Sequence, residues 1–152
     1  MDVTAKLAEM GLSLPDAPAP AANYVSFVRT GNQVFISGQV SSDETGLITG
    51  KLGADLSVEQ GAAAAQRCAL SLLAQMNHAV GGDWSRVQRL VKLVGFVNST
   101  PEFTDQPKVI NGASDLMVAV MGEAGRHARS AVSAVSLPLG VAVEIEAIFE
   151  LV

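Results

Sequence analysis

Cysteine and basic residues are scarce in this sequence, and each shortage excludes a class of protein. The 152 residues include a single cysteine, Cys68, so no disulfide can form within the chain, and we expect a reduced, cytoplasmic protein. Lys and Arg number 10 against 15 Asp and Glu, which gives a net charge of −5, and the basic residues form no run. Because the attraction that drives nucleic-acid binding is missing, we expect no nucleic-acid partner.

Long apolar runs are absent as well. Gly, Arg, Lys or Asp interrupts every apolar stretch before it reaches the roughly 20 residues that a membrane helix needs, so no membrane partner is expected. Residues 1–6 lack the basic and then apolar order of a signal peptide. Neither His78 nor His127 lies in a cluster with metal-ligand spacing, so no metal site is expected.

Aromatic and charged residues are also few, at 5% and 16%, whereas 49% of the residues are hydrophobic. The core must therefore be built from Ala, Val, Leu and Ile. A chain of this length fits one domain, spanning residues 1–152. Apolar surface that a monomer cannot bury is usually covered by other chains, so this composition favours a homo-oligomer.

The first half of the chain predicts a helix, a connector and a hairpin. The predicted elements are a short helix from Val3 to Met10 that Gly11 ends, a Pro-rich connector at Leu14–Pro20, strands at Tyr24–Arg29 and Gln33–Val40, and a short third strand at Leu47–Thr49. Gly and Asn in Thr30-Gly31-Asn32 can take the positive φ of a tight turn between the two longer strands.

The second half predicts two long helices and three strands. Ser57 and Gln60 form a capping-box pattern that starts a helix running to Val80. The near-continuous apolar run at Arg86–Asn98 is typical of a strand buried on both faces. The remaining predicted elements are a second helix that begins at Pro101 or Pro107 and ends at Gly122, and a closing pair of strands at Ala128–Ser136 and Val141–Leu151. The pattern β-β-β-α-β-α-β-β predicts an α+β two-layer sandwich, a mixed sheet with two long helices on one face.

The candidate chemistry lies on the two closing strands. Alternation places Glu144, Glu146 and Glu150 on the face opposite the apolar one, which is either a solvated face or the wall of a cleft. Arg129, at the start of what we take to be the neighbouring strand, could hold a carboxylate between its two terminal nitrogens, or simply pair with a nearby Glu. Gly38 lies inside a strand, where a glycine permits either a bulge or a close approach by a ligand or by another stretch of backbone.

The order of these residues resembles that of a known family. Tyr24-Val25, Gly31-Asn32 and Ser37-Gly38-Gln39 match the front of the RidA/YjgF pattern, and Arg129-Ser130, Leu137-Pro138 and Glu144-Ile145-Glu146 match its C-terminal signature. The resemblance covers Leu14–Leu151 and implies a chorismate-mutase-like, or YjgF-like, fold. It also implies a homotrimer with a barrel-like centre and active sites in the clefts between subunits.

The resemblance implies an enzyme that needs no cofactor. Active members hydrolyse 2-aminoacrylate and related 2-imino acids to 2-oxo acids and ammonia, so the implied small-molecule partner is an imino or oxo acid. By resemblance Arg129 binds the substrate carboxylate, and Glu144 positions and deprotonates the attacking water. The substrate-binding residues that the resemblance implies are Tyr24, Ser37, Gly38, Ala131 through its main chain, and Asn111.

Three departures from the family pattern point to a divergent subgroup. Ala131 stands where many members have a cysteine. The region Thr104–Gly125 is longer than in the best-known members, which weakens the match of Asn111. An N-terminal helix and Pro-rich arm, within residues 1–22, have no equivalent in the shorter members.

Three functions remain open from the sequence. The first is a 2-imino acid deaminase. The second is a non-catalytic trimer that binds a small carboxylate or regulates a partner, because a cleft that binds an acid need not activate water. The third is an endoribonuclease, an activity ascribed to some members, against which the acidic charge argues.

Overall fold

A computed structural model describes residues 1–20 and 22–152, and in them the chain forms seven β-strands and three α-helices. The strands are β1 (Phe27–Thr30), β2 (Gln33–Val40), β3 (Ser42–Asp43), β4 (Gly46–Leu47), β5 (Val87–Asn98), β6 (Ala128–Ala134) and β7 (Val143–Leu151), and the helices are α1 (Val3–Glu9), α2 (Val58–Ala79) and α3 (Gln106–Met121).

Five strands form one mixed sheet in the order β1-β2-β7-β5-β6. Only β5 and β6 are parallel, because α3 crosses over the sheet between them; the other neighbours are antiparallel. Helix α2 packs on β7 and β2, and α3 packs on β6 and β5. The predicted two-layer α+β sandwich with two long helices on one face is confirmed.

Small residues let the two long helices approach closely. A Cβ on Gly112 of α3 would overlap the carbonyl oxygen of Ala62 in α2. The predicted capping box is present, since the Ser57 side chain accepts from the Gln60 amide while the Gln60 side chain accepts from the Ser57 amide. Below the helices, alternate residues of β7 are buried, beginning with Val143 and ending with Leu151. The apolar face of β7 therefore faces the helices, as its alternation predicted.

The closing strands are not neighbours, which corrects the expectation that they pair. β7 lies between β2 and β5, whereas β6 lies at the edge of the sheet, where β5 is its one neighbouring strand. The physical reason is the α3 crossover, which returns the chain parallel to β5 on its outer side, so that β7 must fill the remaining central position.

Smaller differences concern the ends of elements. In place of the third strand expected at Leu47–Thr49, the structure has a small hairpin of two strands, β3 and β4, with two residues each. Thr49 makes an isolated bridge to Val141. Of the two starts left open for the second long helix, the structure selects Gln106, with Pro107 in the first turn.

The N-terminal segment packs against the body of the protein. In α1 the side chains of Val3 and Leu7 are fully buried, and the helix packs on α3. The chain then runs along the surface to Pro18, whose carbonyl accepts a hydrogen bond from Gln75 of α2. None of the helices in residues 1–20 and 22–152 combines the length and the apolar character needed to cross a membrane.

Candidate functional site

Glu144 lies in a cleft on the face of the sheet that the helices leave open. The cleft has a volume of about 230 Å³, and it is lined by Pro18, Ala19, Pro20, Tyr24, Ser26, Gly38, Gln39, Val40, Ser42, Pro138, Leu139 and Glu144. Most of these side chains are apolar, and Glu144 supplies the only carboxyl group among them. A concave apolar wall around one carboxylate suits a small ligand and proton transfer.

The environment of Glu144 favours its protonated form. Burial raises the pKa of the Glu144 carboxyl above its ordinary value, and the negative charge of Glu146 raises it further. Gly38 of β2 makes room for this side chain, because a Cβ on Gly38 would lie 2.9 Å from Oε2 of Glu144. A carboxyl with a raised pKa is a stronger base, and it is better suited to take up a proton and return it during a reaction.

Tyr24 and Ser37 occupy different positions around this face. Tyr24 is half exposed and lines the Glu144 cleft. Ser37 lines a neighbouring cavity of about 390 Å³ that contains neither Glu144 nor Arg129, and its hydroxyl donates to the carbonyl of Val25 at 2.8 Å. Tyr24 and Gly38 therefore lie at the predicted site, whereas Ser37 holds the chain that leads to it.

Arg129 lies on the opposite face, against α3. Its Nη1 donates to the hydroxyl of Ser114 at 3.1 Å, and its Nη2 donates to the carbonyl of Pro107 at 3.3 Å. No carboxylate pairs with Arg129 among the described residues. The surface ion pair that we considered for this arginine is therefore wrong, and hydrogen bonds from neutral groups hold the guanidinium instead.

Two residues that the sequence did not single out complete this arrangement. Nδ1 of His127 lies 2.6 Å from the carbonyl of Gly125, which can only accept, so this nitrogen carries a proton. In the neutral ring Nε2 then accepts from the Ser114 hydroxyl, at 2.9 Å. Ser114 thus donates to His127 and accepts from Arg129. The chain of hydrogen bonds from Gly125 to Arg129 fixes both side chains in one orientation.

Asn111 and Ala131 lie on the same side of the sheet as Arg129. Asn111 is exposed on α3, four residues after Pro107 and three before Ser114. Helical spacing therefore places it on the same side of α3 as these two residues, which accept the hydrogen bonds from Arg129. Ala131 is two residues after Arg129 on β6, and its side chain packs towards the core. Because β6 is an edge strand, it presents main-chain groups that the sheet does not use.

The two candidate groups do not meet within one chain. Arg129 of β6 is opposite Leu93 of β5, and Leu93 is opposite Ala147 of β7. Strand β5 therefore separates Arg129 from β7, and the β7 residue level with Arg129 is three positions away from Glu144. The two side chains also leave opposite faces of the sheet. The expectation that they sit side by side on adjacent strands is wrong, and the structure contains two separate half-sites.

Cys68 is not part of either half-site. The thiol is fully buried in α2, its Sγ donates to the carbonyl of Val143 at 3.5 Å, and burial raises its pKa far above the ordinary value. A protonated, inaccessible thiol is not a nucleophile. In the described part of the chain, the His, Cys, Asp and Glu side chains form no group of three that could hold a metal ion.

Comparisons with known proteins match this architecture. A model of the family described as "YjgF/chorismate mutase-like, putative endoribonuclease" matches residues 4–151. The protein TCP17 of Trypanosoma cruzi is 54% identical over 151 residues, which are 98% of this chain and 94% of TCP17.

Solved structures agree to different degrees. Atu1372 from Agrobacterium tumefaciens, a protein of unknown function, has a TM-score of 0.92 at 45% identity, over 99% of this chain and 94% of that one. A protein from Shewanella oneidensis MR-1, described as a "putative endoribonuclease", has a TM-score of 0.94 at 33% identity, and the match covers 99% of both chains. RidA from Psychrobacter sp. PAMC 21119 has a TM-score of 0.60 at 30% identity, over 89% of this chain and 94% of RidA.

A mixed five-stranded sheet covered on one face by two long helices defines a protein of the chorismate-mutase-like fold class. With the family model matched over nearly the whole length and relatives of 30% identity or more, the chain belongs to the YjgF/RidA family.

Proposed function

We propose that this protein hydrolyses small 2-imino acids to 2-oxo acids and ammonia, at sites formed where the Glu144 cleft of one chain meets the Arg129 edge of another. The observation that carries the proposal is the separation of the two half-sites. One offers a carboxyl with a raised pKa, and the other offers an arginine without an acidic partner among the described residues. Hydrolysis of a 2-imino acid needs one group that transfers protons and another that binds the substrate carboxylate.

The Arg129 half binds the substrate carboxylate. The hydrogen bonds to Ser114 and Pro107 use one hydrogen on each terminal nitrogen of Arg129, so the guanidinium keeps donors for a bidentate pair. Because Ser114 and Pro107 already hold the side chain, little conformational entropy is lost on binding. The neighbouring Asn111 and the main chain of Ala131 complete this half and orient the imine group.

The Glu144 half performs the proton transfers. The imine carbon is electrophilic, so the water oxygen attacks C2 while Glu144 takes one of its protons. The carboxyl passes this proton to the imine nitrogen, which gives a tetrahedral adduct with a hydroxyl and an amino group on C2. Glu144 then takes the hydroxyl proton and delivers it to the amino nitrogen as the C–N bond breaks, so that the oxygen becomes the carbonyl of the 2-oxo acid and ammonia leaves. Tyr24 and Gly38 shape the cleft around this carboxyl. No cofactor enters this chemistry.

The assembly that unites the halves is a homotrimer, as in the family. The open face of the sheet supports an association of chains, because it carries exposed apolar side chains. Val28, Phe35 and Val132 are 53%, 41% and 46% exposed on this face. Contiguous apolar surface of this kind is typical of an interface between copies.

Endoribonuclease activity, which appears in the descriptions of some relatives, is less well supported in this chain. The net charge is −5, and Glu144 and Glu146 project from the face that an oligomer would enclose. Phosphate backbones are repelled by such a surface. Repurified protein should leave RNA intact.

The direct test is turnover of imines generated in situ by an amino acid oxidase. Wild type should release 2-oxo acid, and Arg129→Ala should lose turnover by about 10²-fold or more because substrate orientation is lost. Arg126→Ala is the matched control, an exposed arginine three residues earlier that is paired with Glu123. Absence of 2-oxo acid from every imine tested with wild type would contradict the deaminase and leave a carboxylate-binding trimer.

A mixing experiment tests the shared site. Inactive Arg129→Ala and Glu144→Gln chains, unfolded together in equal amounts and refolded, should regain about a quarter of wild-type activity. Half of the chains supply an intact Arg129, half supply an intact Glu144, and the two choices are independent. No recovery from a correctly reassembled mixture would place both groups in the same chain's site and contradict the proposal.

A further inference from the structure

The N-terminal arm ends at the Glu144 cleft. Pro18, Ala19 and Pro20 line one side of it, and Pro138 and Leu139 of the connection between β6 and β7 line it as well. We infer that the arm and Leu139 form the wall that contacts the substrate side chain and limits its size, so that they determine specificity. This inference rests on the proposed function of the cleft.

A buried polar network holds the arm in place. Gln75 of α2 is 1% exposed, and its Nε2 donates to the carbonyl of Pro18 at 2.6 Å. The same nitrogen lies 3.4 Å from Oε1 of Gln39, whose own Nε2 donates to the carbonyl of Ser37 at 2.8 Å. A buried amide is costly unless its hydrogen bonds are made, so displacing the arm is penalised. The arm is therefore a fixed wall and not a loose tail.

A second network fixes the connection that carries Leu139. Nζ of Lys51 donates to Oδ1 of Asn98 at 2.7 Å and to the carbonyl of Val135 at 2.5 Å. Nδ2 of Asn98 donates to the carbonyl of Val141 at 3.1 Å. Both ends of residues 135–141 are thus held by one pair of side chains.

Leu139 is presented unusually within this fixed connection. It is the only residue other than glycine with positive φ among the described residues, at 60°, and its side chain is 72% exposed. Positive φ is costly for a leucine, and conformations of this kind cluster at ligand and active sites, which fits a role for Leu139 at the cleft. The cleft volume of about 230 Å³ lies below the roughly 300–1,000 Å³ of pockets for drug-sized ligands, so a modest change in its wall alters which side chains fit.

The test compares two exposed apolar residues of the same connection. Leu139→Ala removes the wall, whereas Val135→Ala trims a residue that is 79% exposed and does not line the cleft. We measure kcat/KM for imines with ethyl and with phenylethyl side chains. Leu139→Ala should raise the ratio of large to small substrate about tenfold, the effect of changed apolar contact in a pocket, while Val135→Ala keeps the wild-type ratio. Equal ratios in both variants would overturn the inference.

Gln75→Leu tests the arm, with circular dichroism and thermal unfolding to verify the fold. Releasing Pro18 should shift the ratio in the same direction as Leu139→Ala. An unchanged ratio in a folded Gln75→Leu protein would remove the arm from the wall.

Binding separates this inference from the proposed reaction. The probes are 2-oxobutanoate and 2-oxo-4-phenylbutanoate, and calorimetry gives their Kd values. If wild type turns over no imine but Leu139→Ala still shifts the ratio of these Kd values about tenfold, the hydrolysis fails and the wall stands. If neither acid binds, or if Leu139→Ala and Val135→Ala both keep the wild-type ratio of Kd values, the role of Leu139 and the arm in specificity is contradicted as well.

Discussion

The two half-sites of this protein are built in contrasting ways. Glu144 is held on a central strand, and its surroundings oppose its charge, through burial and through the charge of Glu146. Arg129 is held on an edge strand, and its surroundings accept hydrogen bonds from it, at Ser114 and Pro107. One group is poised to exchange a proton, whereas the other is oriented to hold a charge.

Under the proposed function, this contrast assigns proton transfer and substrate binding to separate parts of the molecule. Changes at the Glu144 cleft should act on the chemical step, and changes at the Arg129 edge should act on substrate affinity. A variant of one half-site that changes both the chemical step and substrate affinity would contradict this comparison. Variants that change only one of the two would support it.

The largest expected effect is on the chemical step. Glu144→Gln keeps the shape of the cleft but removes the base, so kcat should fall by about 10²–10⁴-fold. Binding of 2-oxobutanoate should survive, because Arg129 is untouched. Glu150→Gln is the control, on the same face of the same strand. A Glu144→Gln protein with near-normal kcat would remove the carboxyl from the reaction.

The next effect is positional. Gly38→Ala places a Cβ 2.9 Å from Oε2 of Glu144, which is closer than real Cβ contacts, so the end of that side chain must move. We expect kcat to fall by about 10²-fold, the loss that follows from misplacing a reacting group by about 1 Å. Thermal unfolding should change little, since a flexible side chain gives way and not the backbone. A loss of stability without loss of kcat would show that Gly38 serves the fold and not the position of Glu144.

A smaller effect is expected at the Arg129 edge. Ser114→Ala removes the hydroxyl that links Arg129 to His127. KM should rise about tenfold with kcat nearly unchanged, because one hydrogen bond to a charged group is lost. Steady-state kinetics with Ser85→Ala, an exposed serine far from both half-sites, provides the comparison. A fall in kcat at constant KM would contradict a positioning role.

The smallest effect concerns stability and pH. Because the pKa of Glu144 is raised in the folded state, its stabilising contribution is present below the unfolded pKa of about 4.3 and is lost as pH rises through the folded pKa. Glu144→Gln stays neutral, so its Tm should exceed that of wild type at pH 7. The difference should shrink as the pH approaches 4. A difference in Tm that is constant over this range would exclude the linkage.

The sequence predicted those features that depend on neighbours along the chain. The capping box at Ser57 and Gln60 and the alternation of β7 are local patterns, and both are confirmed. The position of β6 was wrong, because a short connection through Leu137–Gly140 suggests a hairpin while the sheet order depends on where β5 and α3 pack. Strand order is a tertiary property that this local pattern did not encode.

The supporting residues of the site escaped prediction for the same reason. Ser114 lies mid-helix and His127 lies in a loop, and neither carries a local signal for contact with Arg129. One signal was available, since the polar residues Asn111 and Ser114 lie three positions apart on α3 and so share one face of the helix. Similarly, Gln75 is a polar residue in an Ala- and Leu-rich helix, and its burial is explained only by the arm that it holds.

The placement of Arg129 and Glu144 on opposite faces constrains the symmetry of any assembly that unites them. Two different patches from opposite faces meet at such an interface, so the contact is heterologous, and a pair of chains joined through one such contact would leave one patch of each chain unused. Head-to-tail contacts either close into a ring or continue as a filament. In a closed ring every chain gives one patch and receives one, so the number of complete sites equals the number of chains, and a substitution that alters the angle between neighbours would turn a soluble ring into an open polymer.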